Sequence, residues 1–510
     1  MLTTASPSPA TLQVRSPAND EPVGTVPVSS PDEVMAAVAR SRVAQKAWAA
    51  RTLADRCAVL RHVRERYLAR LDAVVDLVSR ENGKPRVEVM LHEGLPVLQN
   101  ITYFTDHAER ILEPQPIAMS LTVNRSSYLH FVPRGVIAVI GPWNFPINLT
   151  FCSAAMALVA GNGVVIKPSE FTPLSAALVR EIFIEGGVPA DLLQVVQGHG
   201  DVGVALITAG VDMVEFTGSV ATGRKVGALC GERLIPCVLE LGGKAPALVL
   251  ADAPLPRTVE AVLWGGYANA GQVCASIERL LVHEAIYDRF VPALVERVNA
   301  LRVGDPTREE VDVGPLVTER QRDNVARLVD DAVARGARVL TGGRRIDRPG
   351  HYYAPTVVVD CTAEMDIFNA EIFGPVIPIL RCRDEVQMVA EANRSSLGLM
   401  AYVFTKDTEK GRRLAEQIVS GTVMVNDVLA TQAMPETPWG GLGTSGIGVT
   451  HSDDGLRHLC QQRHVNYDLT PWLSKEVWWY PYRAADFARF RTALGLLYAR
   501  GWARLKRLAG

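Results

Sequence analysis

The sequence lacks most of the features that would take it out of the class of ordinary globular enzymes. Its eight cysteines (Cys57, Cys152, Cys230, Cys237, Cys274, Cys361, Cys382 and Cys460) never form a CxxC pair. Scattered cysteines exclude a zinc site or a disulfide frame and imply reduced thiols in a cytoplasmic setting. No uninterrupted apolar run reaches the ~18 residues needed to span a bilayer. The amino terminus, MLTTASPSPATLQV, has no basic n-region and no apolar h-region, and does not read as a signal peptide. Net charge is only −2, so nothing pulls the whole chain toward nucleic acid.

At 510 residues the chain exceeds what one hydrophobic core serves, and two or more domains are expected. With 48% hydrophobic and 21% charged residues, its composition is that of a globular protein. Residues 1 to 30 read as a mobile lead followed by short extended pieces. Ser30-Pro31-Asp32 then opens a helix, with a serine cap, proline at the first helical position and an acid in the first turn. Helices are expected over residues 32–50, 54–70, 71–82 and 87–111, broken by Gly83-Lys84-Pro85. Residues 119–123 and 127–132 are β-prone runs around Asn124-Arg125-Ser126, a hairpin signal that reads as a projecting arm.

From Gly135 strand and helix alternate. The run VIAVI at 136–140 is apolar at every position, as a parallel strand buried on both faces requires. Further strands are expected at 164–166, 193–196, 211–216 and 248–250. A second alternating stretch places strands at 280–283, 339–341, 356–359, 376–380 and 401–404. This spacing implies an α/β protein with two doubly wound parallel-sheet domains. Ligands in such sheets sit at the carboxyl ends of the strands, where Lys167, Glu170, Gly198, Gly218 and Ser219 fall. The turn at Gly218 reads GSVATG rather than GxGxxG, yet a Gly–Ser pair opening a helix still admits a pyrophosphate. Taken one by one, these loops also read as ordinary solvated turns.

Cys274, in NAGQVCASIER, lies where a helix gives way to a strand across a glycine. A thiol there is expected to be exposed and held, as a nucleophile must be; a small buried hydrophobe is the alternative. Glu240, in LELGGK, stands between leucines and should have a raised pKa, as suits a general base. A surface acid at a strand end is the alternative.

PWNFP, KPSE, FTGS, ELGGK, GQVC, EIFGP and PWGGLGTSGIG occur in this order, and together they resemble the aldehyde dehydrogenase superfamily over about residues 10 to 470. The resemblance implies an oxidoreductase that turns an aldehyde into the carboxylic acid with NAD, NADP being the alternative cofactor. It implies Cys274 as the nucleophile, passing through a thiohemiacetal and a thioester. It implies Asn144 as an oxyanion donor, Glu240 as the base for hydrolysis and Lys244 as a further catalytic residue. The presence of Glu240 speaks against the CoA-acylating branch. Trp143, Lys167, Glu170, Gly198, Gly218, Ser219, Glu371 and Phe373 are implied as cofactor contacts, and Leu149 and Cys152 as lining a substrate tunnel. Their uncharged side chains suit an apolar aldehyde, aliphatic or aromatic, better than a dicarboxylic semialdehyde. His451 matches the histidine of the fatty and aromatic aldehyde branch, whereas GQVCASIER is closer to the broad-specificity branch. No metal is implied. A homodimer or homotetramer is, with residues 1–113 and 134–242 binding NAD, 243–440 forming the catalytic domain, and 114–133 with 441–470 forming the oligomerisation arm and closing segment.

Residues 471–510 lie outside the resemblance. They carry eight Lys or Arg against two acids, Glu476 and Asp486, and four of the eight tryptophans. Phe487, Phe490, Leu494, Leu497, Gly501, Leu505 and Leu508 keep a three-and-four spacing, one apolar stripe of a basic helix, which Arg491 and Leu496 interrupt. Peripheral contact with a membrane through residues 475–510 is expected, against packing on the protein's own oligomer. For the whole chain the alternative is a catalytically silent scaffold that binds a membrane surface or a protein.

Overall fold

The computed structural model describes residues 10–500. The described chain forms two compact units, one running to Glu113 and resuming over Phe131–Gln462, the other made of Pro114–His130 and residues 463–500. Residues Gly501, Trp502, Arg504, Leu505, Lys506, Arg507 and Leu508 of the expected tail lie outside the described residues, as does the start of the expected lead.

Beside the two-stranded pairs Thr11–Arg15 with Pro22–Pro27 and Leu397–Gly398 with Leu442–Gly443, the larger unit holds two large sheets. In the first, the order is Gly446–Ile447, Cys237–Glu240, Met213–Thr217, Val136–Ile140, Gly163–Lys167, Leu193–Val195. Its strands are parallel except for the edge strand Gly446–Ile447. Val136, Ala138 and Ile140 enter one core with Val34, Val38 and Leu206, while Ile137 and Val139 enter another with Phe151 and Phe183. Strict alternation with both faces covered is why VIAVI has no polar position. The second sheet runs Arg338–Thr341, Thr356–Val359, Val376–Cys382, Ile277–His283, Ala245–Val249, Met400–Phe404, Thr422–Val425. Only its edge strand Arg338–Thr341 is antiparallel. The expected doubly wound α/β architecture is thus present.

Two expectations differ from what forms. Residues 87–111 are not one α-helix: a π-helical turn, Met90–Gly94, separates Arg86–Val89 from Leu95–Leu112. The turn sends Glu93 inward, where its carboxylate pairs with the fully buried Lys84 ammonium and accepts the Asn148 N–H at 2.7 Å. The hairpin forms, but its first strand is Gln115–Ile117, paired with Arg125–Pro133 so that Gln115 faces Leu129. Residues 119–123 belong to the connection, because that register leaves them no partner strand. These two strands and Cys460–Asp468 make a three-stranded sheet, and the helix Ala484–Tyr498 follows later in the chain.

Candidate active site

Cys274 follows a backbone elbow. Asn269, Ala270 and Gly271 take φ values of 50°, 55° and 72° in succession. Left-handed backbone costs a non-glycine residue about 1 kcal/mol or more, so the elbow must be held by its surroundings. The Asn269 N–H donates to the buried Glu88 carboxylate at 2.8 Å, and its side-chain amide donates to the Asn144 carbonyl at 3.1 Å. The Asn144 amide donates in turn to the Gln272 carbonyl at 3.0 Å. Gly271 has no substitute, since a Cβ there would lie 2.1 Å from the Gly374 carbonyl oxygen.

The thiol is half-buried rather than exposed, contrary to expectation. It lines a cavity of about 40 Å³ together with Leu149, Cys152, Met156, Trp439 and His451. The loop carrying Trp439 and His451 covers it, and a pattern read locally along NAGQVC carries no sign of that cover. Burial first, then the charges of Glu240 and Glu371, push the Cys274 thiol up to about 12. The resting group is therefore a thiol near neutral pH.

Glu240 lines the same cavity. It is buried, and neither carboxylate oxygen has a hydrogen-bond partner of good geometry among the described residues, although the Trp439 side chain stands close enough to favour its ionised form. Burial, reinforced by the neighbouring Glu215, holds it well above the ordinary carboxylate range. Such an orphaned acid is costly to bury and is poised to take a proton from water. About 40 Å³ exceeds the 10–15 Å³ that one water requires.

Lys244, expected among the catalytic residues, is not among the residues that line the cavity of Cys274 and Glu240. Its ammonium is fully buried and donates to Glu278 and to the Ile367 carbonyl, both at 2.9 Å. Glu278 in turn accepts the Ile372 and Phe373 N–H groups, the latter at 2.7 Å. Lys244 is a positioning residue: it neutralises the acid that shapes the Phe373 turn, where φ is 52°. The Phe373 ring meets Trp143 edge-on at 5.4 Å. The Glu371 carboxylate accepts the Gly243 N–H at 2.9 Å and is raised to about 7, first by burial.

The remaining expected contacts lie along the carboxyl edge of the first sheet. Lys167 is buried with its ammonium 3.8 Å from Glu170, whose other oxygen is 3.9 Å from His199. A donor and an acceptor side by side suit the hydroxyls of a ribose. Ser219 caps the helix Val220–Glu232 by accepting the Thr222 N–H, which leaves the Val220 and Ala221 N–H groups facing out of the helix end. At Gly218 a Cβ would lie 2.6 Å from the Phe216 ring, so the turn can only be this tight with glycine. Gly198, at φ 148°, turns the chain into the helix Gly200–Thr208. These residues fit a dinucleotide.

Four site residues escape sequence reasoning: Glu88, Glu215, Asn269 and Glu278. Glu215 sits in a strand between Val214 and Phe216, and that break in an apolar run was its one visible signal. The others act through partners far away in the chain.

Comparison with known proteins gives a consistent answer. The family model described as "Aldehyde dehydrogenase family" matches residues 4–465. A 3,6-anhydro-alpha-L-galactose dehydrogenase of Streptomyces coelicolor is 41% identical, over 90% of this chain and 93% of its own. A 4,4'-diapolycopene aldehyde oxidase of a Methylomonas species is 35% identical, over 96% of this chain and 91% of its own, an extent that reaches past residue 484. The crystal structure of a Mycobacterium tuberculosis aldehyde dehydrogenase complexed with NAD+ superposes with a TM-score of 0.86 at 35% identity, covering 91% of this chain and 95% of that one.

Proposed function

The chain belongs to the aldehyde dehydrogenase family, and on that premise we propose how its own residues oxidise an aldehyde to the acid with NAD. Cys274 adds to the aldehyde carbon, its thiol proton passing to water and out to bulk solvent as the C–S bond forms. Asn144 has one amide hydrogen on the Gln272 carbonyl, and the other donates to the developing oxyanion together with the Cys274 backbone N–H. Bound NAD supplies the acceptor for the hydride that this adduct loses, leaving the acyl group on Cys274. Glu240 then takes a proton from the water that attacks the thioester. Trp143, Phe373 and Glu371 hold the nicotinamide end, while Lys167, Glu170, Gly198, Gly218 and Ser219 hold the adenosine and pyrophosphate. Glu170 favours NAD over NADP, because a carboxylate repels a 2′-phosphate.

The observation that carries this reading is the unsatisfied Glu240 carboxyl sharing one cavity with the Cys274 thiol. A structural acid would be paired. The alternative of a silent scaffold has no comparable support, since the relatives are named as enzymes. We propose an apolar aldehyde as substrate, because Leu149, Cys152 and Met156 line the cavity and neither lysine nor arginine does. The test is stopped-flow NADH formation with aldehydes of graded chain length, for wild type and Glu240→Gln. The variant should give one NADH per site and then stall. Loss of the burst itself, with NAD affinity intact, would overturn the assignment of Glu240.

For the assembly we propose a cytoplasmic homodimer or homotetramer that rests on a membrane surface through residues 475–510. No helix among the described residues is long and apolar enough to cross a membrane, so any contact would be peripheral. Trp472, Trp479, Tyr480, Phe487 and Leu494 are all more than half exposed. Both acids of the segment are already matched. Glu476 accepts from Arg125 at 2.7 Å, and Asp486 accepts the Arg483 N–H at 2.7 Å. The uncompensated charge is positive, and an anionic leaflet is its complement.

A further inference from the structure

Glu215 puts a carboxyl where its layer otherwise holds hydrocarbon. Along the strand Met213–Thr217, Val214 and Phe216 enter one core and Met213 the other, so Glu215 faces the side covered by the helix Asn148–Val159. The neighbouring parallel strand sets Val238 opposite Glu215 and Glu240 opposite Thr217. Side chains alternate faces, so this register puts Glu215 and Glu240 on the same face, two residues apart along adjacent strands. Both line the cavity that Cys274 also lines. Glu215 is buried, one of its oxygens has no partner among the described residues, and Glu240 has none at either oxygen.

The other titratable groups facing the pair are Cys152 on the helix, Cys274 on the elbow and His451 on the covering loop. Burial raises the Cys152 thiol and pushes His451 down to about 4, so neither carries charge near neutral pH. Among the described residues no cation lines the cavity. Two carboxyls enclosed without a cation cannot both ionise, and they titrate as a pair.

We propose that Glu215 is the proton partner of Glu240, the two carboxyls holding one proton between them and passing it across the cavity during hydrolysis of the acyl-enzyme. The proposal rests on the hydrolytic reading given above. Hydrolysis starts once the shared proton has passed from Glu240 to Glu215, which leaves Glu240 as carboxylate. Water bonds to the acyl carbon as one of its protons goes to Glu240. The tetrahedral adduct collapses, the C–S bond breaks, and its electron pair leaves on the Cys274 sulfur. That sulfur takes one proton from the pair, the acid departs, and the pair returns to a single proton. No oxidant or reductant is consumed. Burial pushes Glu215 up to about 7, tempered by the Ser153 hydroxyl beside it, which keeps it able to give or accept a proton near neutrality.

The test isolates hydrolysis. p-Nitrophenyl acetate acylates the full-length enzyme without NAD, its nitrophenolate burst reporting acylation and the steady phase deacylation. Glu215→Gln should keep the burst amplitude and slow deacylation roughly tenfold or more at pH 7. The alkaline limb of its deacylation profile, where the pair loses its shared proton, should disappear, because Glu240 no longer has a second carboxyl beside it to titrate. Glu215→Asp should recover most of the rate. A merely structural role would lower burst amplitude and melting temperature together and leave the limb in place. Wild-type deacylation with the alkaline limb retained in Glu215→Gln overturns the proposal. If Glu215→Gln does not fold, deacylation by wild type in H2O/D2O mixtures decides: a bowed proton inventory supports the pair, and a linear one overturns it. If wild type gives no burst, the hydrolytic reading fails and this proposal falls with it, whereas an unaffected Glu215→Gln beside a bursting wild type removes this proposal alone.

Discussion

Gly243 packs so closely under Cys274 that a Cβ on it would stand 2.0 Å from the Cys274 carbonyl oxygen. Its neighbour Gly242 does the same to Glu371, with a Cβ falling 2.7 Å from that carboxylate. The two glycines after Glu240 therefore bring the base, the nucleophile and Glu371 onto one short stretch of chain. The Gly243 N–H completes the link by donating to Glu371. Two residues of any larger size would drive these groups apart.

Gly243→Ala should consequently fold and yet lose turnover. The new methyl meets backbone, which cannot swing aside as a long side chain can, so Cys274 or the loop must move by about an ångström. A displacement of that size near the chemistry costs on the order of a hundredfold in rate. Steady-state kinetics beside a thermal melt checks it. Turnover within a few-fold of wild type would show that the close approach of Gly243 is not needed.

The raised Cys274 thiol has a direct pH signature. With a pKa near 12, the thiolate fraction in the cofactor-free enzyme should grow about tenfold for each pH unit across the range 7 to 9.5. Alkylation by iodoacetamide, followed as loss of esterase activity, should rise in step with no plateau. In Cys274→Ala, dehydrogenase and esterase activity should both vanish while NAD binding persists. A plateau near pH 8.5, the ordinary cysteine value, would mean that burial does not hold the thiol up.

Lys244→Met separates positioning from catalysis. It leaves the buried Glu278 carboxylate without its cation, a change that typically costs about 3–5 kcal/mol. The melt should fall accordingly, and KM for NAD should rise as the Phe373 turn loosens. Deacylation of an ester-formed acyl-enzyme at low temperature should stay within a few-fold of wild type. A large loss of deacylation with an unchanged melt would return Lys244 to the catalytic group.

How far the site could be read in the chain depended on how locally each part is determined. The strand Val136–Ile140 is legible because burial on both faces leaves no polar position in it. Ser30 is legible as a cap because the capping box lies within four consecutive residues, the Glu33 carboxylate accepting the Ser30 N–H. Cys274, Glu240 and Asn144 stand in short motifs whose order carries the family. The elbow before Cys274 is not legible, since Glu88 reaches Asn269 across 181 positions of sequence. The partners of Lys244 are not legible either, because Glu278 and the Ile367 carbonyl lie 34 and 123 positions away in the chain. The strand Cys460–Asp468 was missed because it is exposed along most of its length and shows no hydrophobic period.

The tail prediction turns on charge and aromatic exposure together. Residues 471–510 carry eight basic side chains against two acids, and within the helix Ala484–Tyr498 Phe487, Leu494 and Leu497 are exposed. Tryptophan and arginine favour the headgroup zone, and a helix of this kind lies in the interface without spanning it. Each basic residue at an anionic leaflet contributes about 1 kcal/mol, less for Arg491 on the apolar side, and salt weakens the sum. The full chain should therefore co-sediment with vesicles of phosphatidylglycerol and phosphatidylcholine at low ionic strength and be released as salt rises. Arg489→Glu with Lys475→Glu should reduce the bound fraction severalfold while leaving turnover of a short, water-soluble aldehyde unchanged. A chain ending at Leu469 should lose vesicle binding and keep its oligomeric state, read by light scattering on a sizing column. If the full chain ignores anionic vesicles, or if the truncated chain falls apart into protomers, the exposed aromatic face belongs to a second copy of the protein and the membrane reading is wrong.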